Sequence, residues 1–236
     1  MSTFWNEELN SGYYDKILES GLKKGNSIQA NWHNITFLKL SSYTVQGKEH
    51  LDYACGPGTF VGKYSDANSI GVDISSNQIK YAINKYGDKK FLTLEEFNQV
   101  SYKEEFDIIS IMGLFEFLTN KEILELLDSL YDLLKPGGKI VSSTLNFKSF
   151  LRVLLFFQGK LTKVDYRNLH INKFSLKALD KTLKQTRFQK VQITKFLTIG
   201  VAFSIFSNKF GIKCDKFIEK IFNNYFGFLL FIELDK

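Results

Sequence analysis

The sequence predicts an α/β domain: a doubly wound, mostly parallel sheet with helices ahead of it and a helical insertion before its last strand. Three observations carry this expectation. From His50 onward, short apolar runs alternate with amphipathic stretches, the pattern of strands joined by crossover helices. Phe106 to Met112 is apolar enough to be covered on both faces, as strands of a parallel sheet are. The first strand runs into Cys55-Gly56-Pro57-Gly58, a glycine turn at the sheet edge where ligands of such folds bind.

The elements follow in order. Asn6 to Lys23 and Ile28 to Leu40 read as helices with aromatic anchors Trp5, Tyr13, Tyr14 and Trp32. His50 to Ala54 is a strand, and Phe60 to Tyr64 opens a helix. Ser69 to Ile74 is the second strand, followed by a helix from Ser76 to Tyr86 with Ser75 or Ser76 as its cap. Lys90 to Leu94 and Phe106 to Met112 are strands three and four. Asn120 to Leu134 is a helix closed by Pro136-Gly137-Gly138, with strand five over Lys139 to Thr144. Ser175 to Gln185 is a helix, Lys190 to Phe196 a strand, and Phe226 to Leu234 the last strand. A hairpin between those two strands needs only a few residues; Leu197 to Tyr225 is instead a long apolar, mostly helical insertion.

At 236 residues and 44% apolar types the chain fits one globular domain and excludes disordered, collagen-like and disulfide-scaffold classes. We divide it into an N-terminal helical cap (1–48), a core (49–145), and acceptor-side and lid elements with the last strands (146–236). Cys55 and Cys214 are the only cysteines and suggest no disulfide. Met1 to Asn10 is polar and acidic, unlike a signal peptide. The longest apolar run, Phe196 to Phe206, is too short to span a bilayer. The expectation is a cytoplasmic protein, with contact at the inner membrane face as its alternative.

Charge is unevenly spread. Met1 to Leu145 carries 14 Lys against 19 acids, and Asn146 to Lys236 carries 17 Lys+Arg against 6 acids. The two parts thus have net charges of −5 and +11. A basic, Phe-rich segment fits nucleic acid, anionic lipid or a phosphorylated substrate, and equally a solvated Lys face.

In Leu51-Asp52-Tyr53-Ala54-Cys55-Gly56-Pro57-Gly58-Thr59-Phe60, Gly56 and Gly58 let a ligand lie against the backbone. Asp73, at the end of the second strand, can accept both hydroxyls of a ribose. A dinucleotide loop wants a third glycine where Val61 stands. Asp52 beside the loop suits a cationic ligand better than a pyrophosphate. S-adenosylmethionine, with a sulfonium and an ammonium and no phosphate, meets those terms.

This loop resembles motif I of class I S-adenosylmethionine-dependent methyltransferases. Gly71-Val72-Asp73-Ile74-Ser75 resembles the next motif, Phe106 to Leu118 the fourth-strand motif, and Leu133 to Gly138 the turn before strand five. The four cover about Leu51 to Thr144 in family order. The resemblance implies a seven-stranded sheet whose last strand is antiparallel. It implies S-adenosyl-L-methionine as cofactor, with contacts from Asp52, Ala54, Cys55, Gly56, Gly58, Phe60, Asp73, Ile74, Met112 and Gly113. Glu95, Glu96 and Phe97, after strand three, are candidates for the adenine.

Many small-molecule members carry a Glu-x-x-x-His-type run after strand four. Here the matching run is Gly113-Leu114-Phe115-Glu116-Phe117: Glu116 remains as its acid, and Phe117 stands in place of the His. His170, in the loop after strand five, is then the base candidate, against a loop histidine with a local bond. His50 reads as structural. His33, Tyr14, Tyr166 and Arg167 are candidates for shaping the acceptor pocket. No Cys/His set has metal spacing. The function expected is methyl transfer to a small acceptor at oxygen, of glycan, lipid-linked or isoprenoid type. An RNA or protein methyltransferase and a non-catalytic cofactor-binding protein are the alternatives, with nucleic acid disfavoured. For the apolar C-terminal stretches, Phe150 to Phe157 and Phe196 to Phe206, three roles compete: a lid over the pocket, a homodimer interface, and a face on anionic membrane.

Overall fold

A computed structural model describes residues 4–5, 9–149 and 169–236. Among them, seven strands form one sheet in the order β3-β2-β1-β4-β5-β7-β6. The strands are β1 (Glu49–Tyr53), β2 (Asn68–Asp73), β3 (Lys90–Thr93), β4 (Phe106–Met112), β5 (Leu134–Leu145), β6 (Lys190–Phe196) and β7 (Leu229–Asp235). β1 to β5 pair in parallel, and β7 runs antiparallel to both β5 and β6. The order reverses between β1 and β4, which leaves a crevice at their carboxyl ends.

The helices are α1 (Tyr13–Lys24), α2 (Ile28–Ser41), α3 (Thr59–Lys63), α4 (Ser76–Lys85), α5 (Leu94–Asn98), α6 (Asn120–Leu133), α7 (Leu176–Leu183) and α8 (Asn208–Phe222). Alternate residues of β4 feed opposite layers: Ile109 and Ile111 join Ile123, Leu127 and Leu130 of α6, while Ile108 joins Leu40 of α2 with Phe60 and Phe231. That two-sided burial is what the apolar run predicted.

Ser75 caps α4 by accepting from the Gln78 N–H, so the earlier of the two candidate caps is used. Three boundaries differ from expectation. The first helix starts at Tyr13, after Gly12 in a left-handed conformation; Asn6 to Glu8 lie outside the described residues. α5 stands where the sequence analysis places no helix, and its start is a reciprocal capping box of Thr93 and Glu96, legible in Thr-Leu-Glu-Glu. Strand five starts at Leu134: Phe106 pairs with Leu134 and Ile108 with Lys139, so Pro136-Gly137-Gly138 is an irregularity inside the strand.

The insertion consists of a 3-10 segment (Ile199–Ile205) packed on α8. It is tied to α2 by the Asn31 side-chain amide, which donates to Ser204 Oγ at 2.7 Å and to the Asn208 carbonyl at 3.0 Å.

Candidate functional site

The loop from β1 to α3 is built from left-handed residues: Ala54 (φ 63°), Gly56 (φ 54°) and Gly58 (φ 73°). Only glycine takes such angles without steric cost, so Ala54 carries roughly 1 kcal/mol of strain. A side chain on Gly58 would meet the Phe91 ring at 2.5 Å, whereas nothing lies within 4 Å of the Cβ position of Gly56. Gly58 is needed for packing; Gly56 leaves open backbone facing a ligand space.

Asp73 ends β2 and holds this loop. Its Oδ2 accepts from the Gly56 N–H and its Oδ1 from the Ser75 N–H, both at 2.8 Å. Burial pushes its carboxyl up, against those bonds. Asp52 is fully buried in β1; its Oδ1 accepts from Ser110 Oγ at 2.5 Å and its Oδ2 has no partner. Burial, opposed by the Ser110 bond and aided by Asp73, drives it up to about 7. Among the described residues no Lys or Arg pairs with either carboxylate. A half-buried acid on the wall and a buried one beneath it, neither paired with a cation among the described residues, fit a cationic ligand nearby, and open backbone at Gly56 fits one that lies flat. A sulfonium with an ammonium meets both conditions. Gly56 and Asp73 lie where the S-adenosylmethionine site is expected, whereas Asp52 lies beneath the cavity surface and not on its wall.

A cavity of about 590 Å³ opens over this loop. Ala54, Cys55, Gly56, Phe60, Asp73, Ile74, Met112 and Gly113 line it, as do Glu116, Tyr14, His33 and His170. Gly58 does not line it and acts through the start of α3. Cys55 also packs with Val61, Ile79 and Phe91, and burial raises its thiol well above the ordinary value. The structure does not bring Glu95, Glu96 or Phe97 to the cavity wall. Glu96 folds back to cap its own helix, and Phe97 stacks in the core on Tyr102 at 4.7 Å. Tyr166 and Arg167 lie outside the described residues, as does Phe150 to Phe157. No described residue between Lys190 and Phe228 lines the cavity. The expected lid role of Phe196 to Phe206 is therefore corrected: that stretch continues into a segment bound to α2 and α8.

The acceptor end is walled by rings. Phe117 packs against His170 with centroids 5.3 Å apart, and Phe147 meets His170 at the same distance. An imidazole from another segment thus stands against the position where the histidine is missing. The chain just after it is held by Glu116, whose carbonyl accepts from Ile171 and Asn172 N–H groups at 2.9 and 3.1 Å. The Glu116 carboxylate is buried, accepts from Thr144 Oγ1 at 2.7 Å and is pushed up by burial. Burial, then the charge of Lys173, holds the His170 imidazole below its usual value, so it is neutral at neutral pH. His33 contacts Tyr14, Trp32 and Phe37, and burial takes it down to about 4. His50 is structural as read: it bonds Ser69 and Ser110 at 2.8 and 2.9 Å, away from the cavity.

Sequence reading missed Asp15. Its buried carboxylate accepts from Thr59 Oγ1, Tyr81 and Tyr86 hydroxyls at 3.0, 2.8 and 2.7 Å, fastening α1 over α3 and α4. Partners that far apart in sequence leave no local signal. Trp5, which meets Phe117 edge-on at 5.2 Å, and Gln78, Asn146 and Lys173 also join the wall unannounced.

Known proteins agree with this geometry. A family described as a methyltransferase domain matches residues 30–193. Malonyl-[acyl-carrier protein] O-methyltransferase 1 of Ilyobacter polytropus is 26% identical over 75% of this chain and 72% of its own length. A ubiquinone biosynthesis O-methyltransferase of Coxiella burnetii is 29% identical over 48% of this chain and 50% of its own. The chain therefore spans about half the length of that relative. In fold it is similar to a SAM-dependent methyltransferase from Archaeoglobus fulgidus (TM-score 0.62, 22% identity, 86% of this chain and 92% of that one). It is also similar to the plantazolicin methyltransferase BamL, solved with a triazolic desmethylPZN analog and SAH (TM-score 0.62, 18% identity, 100% and 94%). With the glycine loop, Asp73 and the sheet order of this structure, these matches place the chain in the methyltransferase domain family, as an S-adenosylmethionine-dependent enzyme.

Proposed function

We propose that this enzyme methylates an oxygen of a small, largely apolar acceptor, with His170 receiving the acceptor's proton. The observation that carries this is the ring-walled cavity running from the glycine loop to a neutral, partly buried imidazole. The bound cofactor supplies a methyl group on a good neutral leaving group, so alignment does much of the catalytic work. The chain's residues supply the rest. Asp73 offers its carboxylate to ribose hydroxyls. Trp5, Phe117 and Phe147 exclude water from the reacting atoms. His170 takes the proton as the acceptor oxygen loses it. Glu116 positions that imidazole through its main-chain carbonyl.

An apolar wall favours the lipid-linked or isoprenoid acceptors over a glycan, whose hydroxyls would be left unpaired against Trp and Phe rings. The names of the malonyl-carrier and ubiquinone relatives, both O-methyltransferases, support oxygen as the acceptor atom. The test is transfer of labelled methyl from S-adenosylmethionine into cell extract, followed by solvent partition. Label in an organic-phase product that is released as methanol by base or as methyl iodide by hydriodic acid supports the proposal, and label that stays on nitrogen or carbon overturns it. Label confined to RNA, protein or water-soluble glycan overturns it.

A further inference from the structure

The outer face of the insertion separates its charges with unusual completeness. At about 100° per residue, Phe210, Phe217 and Ile221 of α8 fall within roughly 40° of one another. They are 47%, 64% and 55% exposed. Lys209, Lys213, Lys216 and Lys220 follow along one side of that stripe. Both acids of α8 turn the other way. Asp215 is buried and accepts from the Thr198 N–H and hydroxyl at 2.6 and 2.7 Å; Glu219 accepts from the Leu197 N–H at 2.9 Å. Phe206, 74% exposed, and Tyr225, 69% exposed, extend the apolar stripe beyond both helix ends.

We infer that this face docks the enzyme on an anionic lipid bilayer surface, lying in the interface. No described helix is long and apolar enough to cross a membrane. An exposed apolar stripe flanked by lysines, with no acid beside it, is what interfacial binding requires: rings enter the headgroup layer and ammonium groups meet lipid phosphates. The charge of the whole chain agrees. The chain is net +6, and its last 91 residues carry +11, so an anionic surface is the favoured partner. An antiparallel two-fold contact of α8 with its copy would set the two lysine rows against each other, which makes that second copy the poorer occupant.

The experiment is flotation of the full chain with phosphatidylcholine vesicles, with and without phosphatidylglycerol. Co-flotation is expected only with phosphatidylglycerol, falling as salt is raised. Each Lys→Ala change among Lys209, Lys213, Lys216 and Lys220 should lower the partition coefficient about fivefold. The double variant Phe210→Ser/Phe217→Ser should stay in the bottom fraction while binding S-adenosylmethionine as the wild type does, which shows it folded. Absence of flotation at low salt overturns the inference, as does undiminished flotation of the double variant. A dimeric mass in light scattering that the double variant converts to monomer assigns the face to a second copy and overturns it as well.

Discussion

The cofactor loop and the α8 face handle charge in opposite ways. Around the loop, buried Asp52 and half-buried Asp73 pair with no cation of the described residues, and the pKa of each is pushed up by desolvation. On α8 Asp215 is buried against Thr198 and Glu219 bonds the Leu197 N–H, while four lysines stand outward with exposed rings. A small-molecule site keeps its uncompensated charge inside, where low dielectric makes the missing partner costly. A contact surface keeps it outside, where many weak attractions add up and salt can weaken them. The difference is testable: changes at the cofactor and acceptor site should cost affinity or rate, and changes on α8 should cost neither.

The largest effect is expected at His170. His170→Ala should lower kcat by about 10² or more with cofactor affinity kept. Its imidazole is held low by burial and Lys173, so the acid limb of the wild-type rate profile should fall below pH ~6.5. Near-normal turnover of the variant, or an acid limb at higher pH, returns His170 to a packing role. Next comes Asp73→Ala, which should weaken S-adenosylmethionine binding by about 1.5–3 kcal/mol in calorimetry, for a hydrogen bond to a charged group. Unchanged binding would mean that Asp73 serves only to tie Gly56 and Ser75.

Asp52 sharpens the contrast, because stability and binding should move apart there. Its folded pKa of about 7 lies above that of an unfolded Asp. Its contribution is fully present below the unfolded value and is lost as pH rises through about 7. Without cofactor, wild-type thermal stability should therefore decline across that window, and Asp52→Asn should flatten the decline while weakening cofactor binding. A cofactor affinity that Asp52→Asn leaves intact would break the link between the orphaned oxygen and the cationic ligand. The smallest effect is expected at Phe217→Ser. An exposed ring on α8 should change stability by no more than about 0.5 kcal/mol and leave turnover in detergent-free solution as it was.

The glycine turn and the strand ending at Asp73 were legible in sequence because backbone geometry demands them within a few residues. Gly58 must accept φ 73° beside Phe91, and Asp73 must end β2 next to Gly56. The exposed stripe of α8 was legible only as composition, and for its Phe196 to Phe206 neighbour the sequence left a lid, a dimer interface and a membrane face open. Apolar residues at helical spacing signal a core face as readily as a bare one.

By itself the sequence determined the alternating α/β order, the cofactor loop and the carboxylate at the end of β2, since each follows from local dihedral limits and apolar periodicity. Tertiary structure alone decided which distant groups meet. It set His170 against Phe117, drew three hydroxyls onto Asp15, turned Glu96 and Phe97 away from the cavity, and left the rings of α8 in solvent. Such pairings are chosen by how the layers pack around one core, and a choice made across the whole chain leaves no signal in a short stretch of residues.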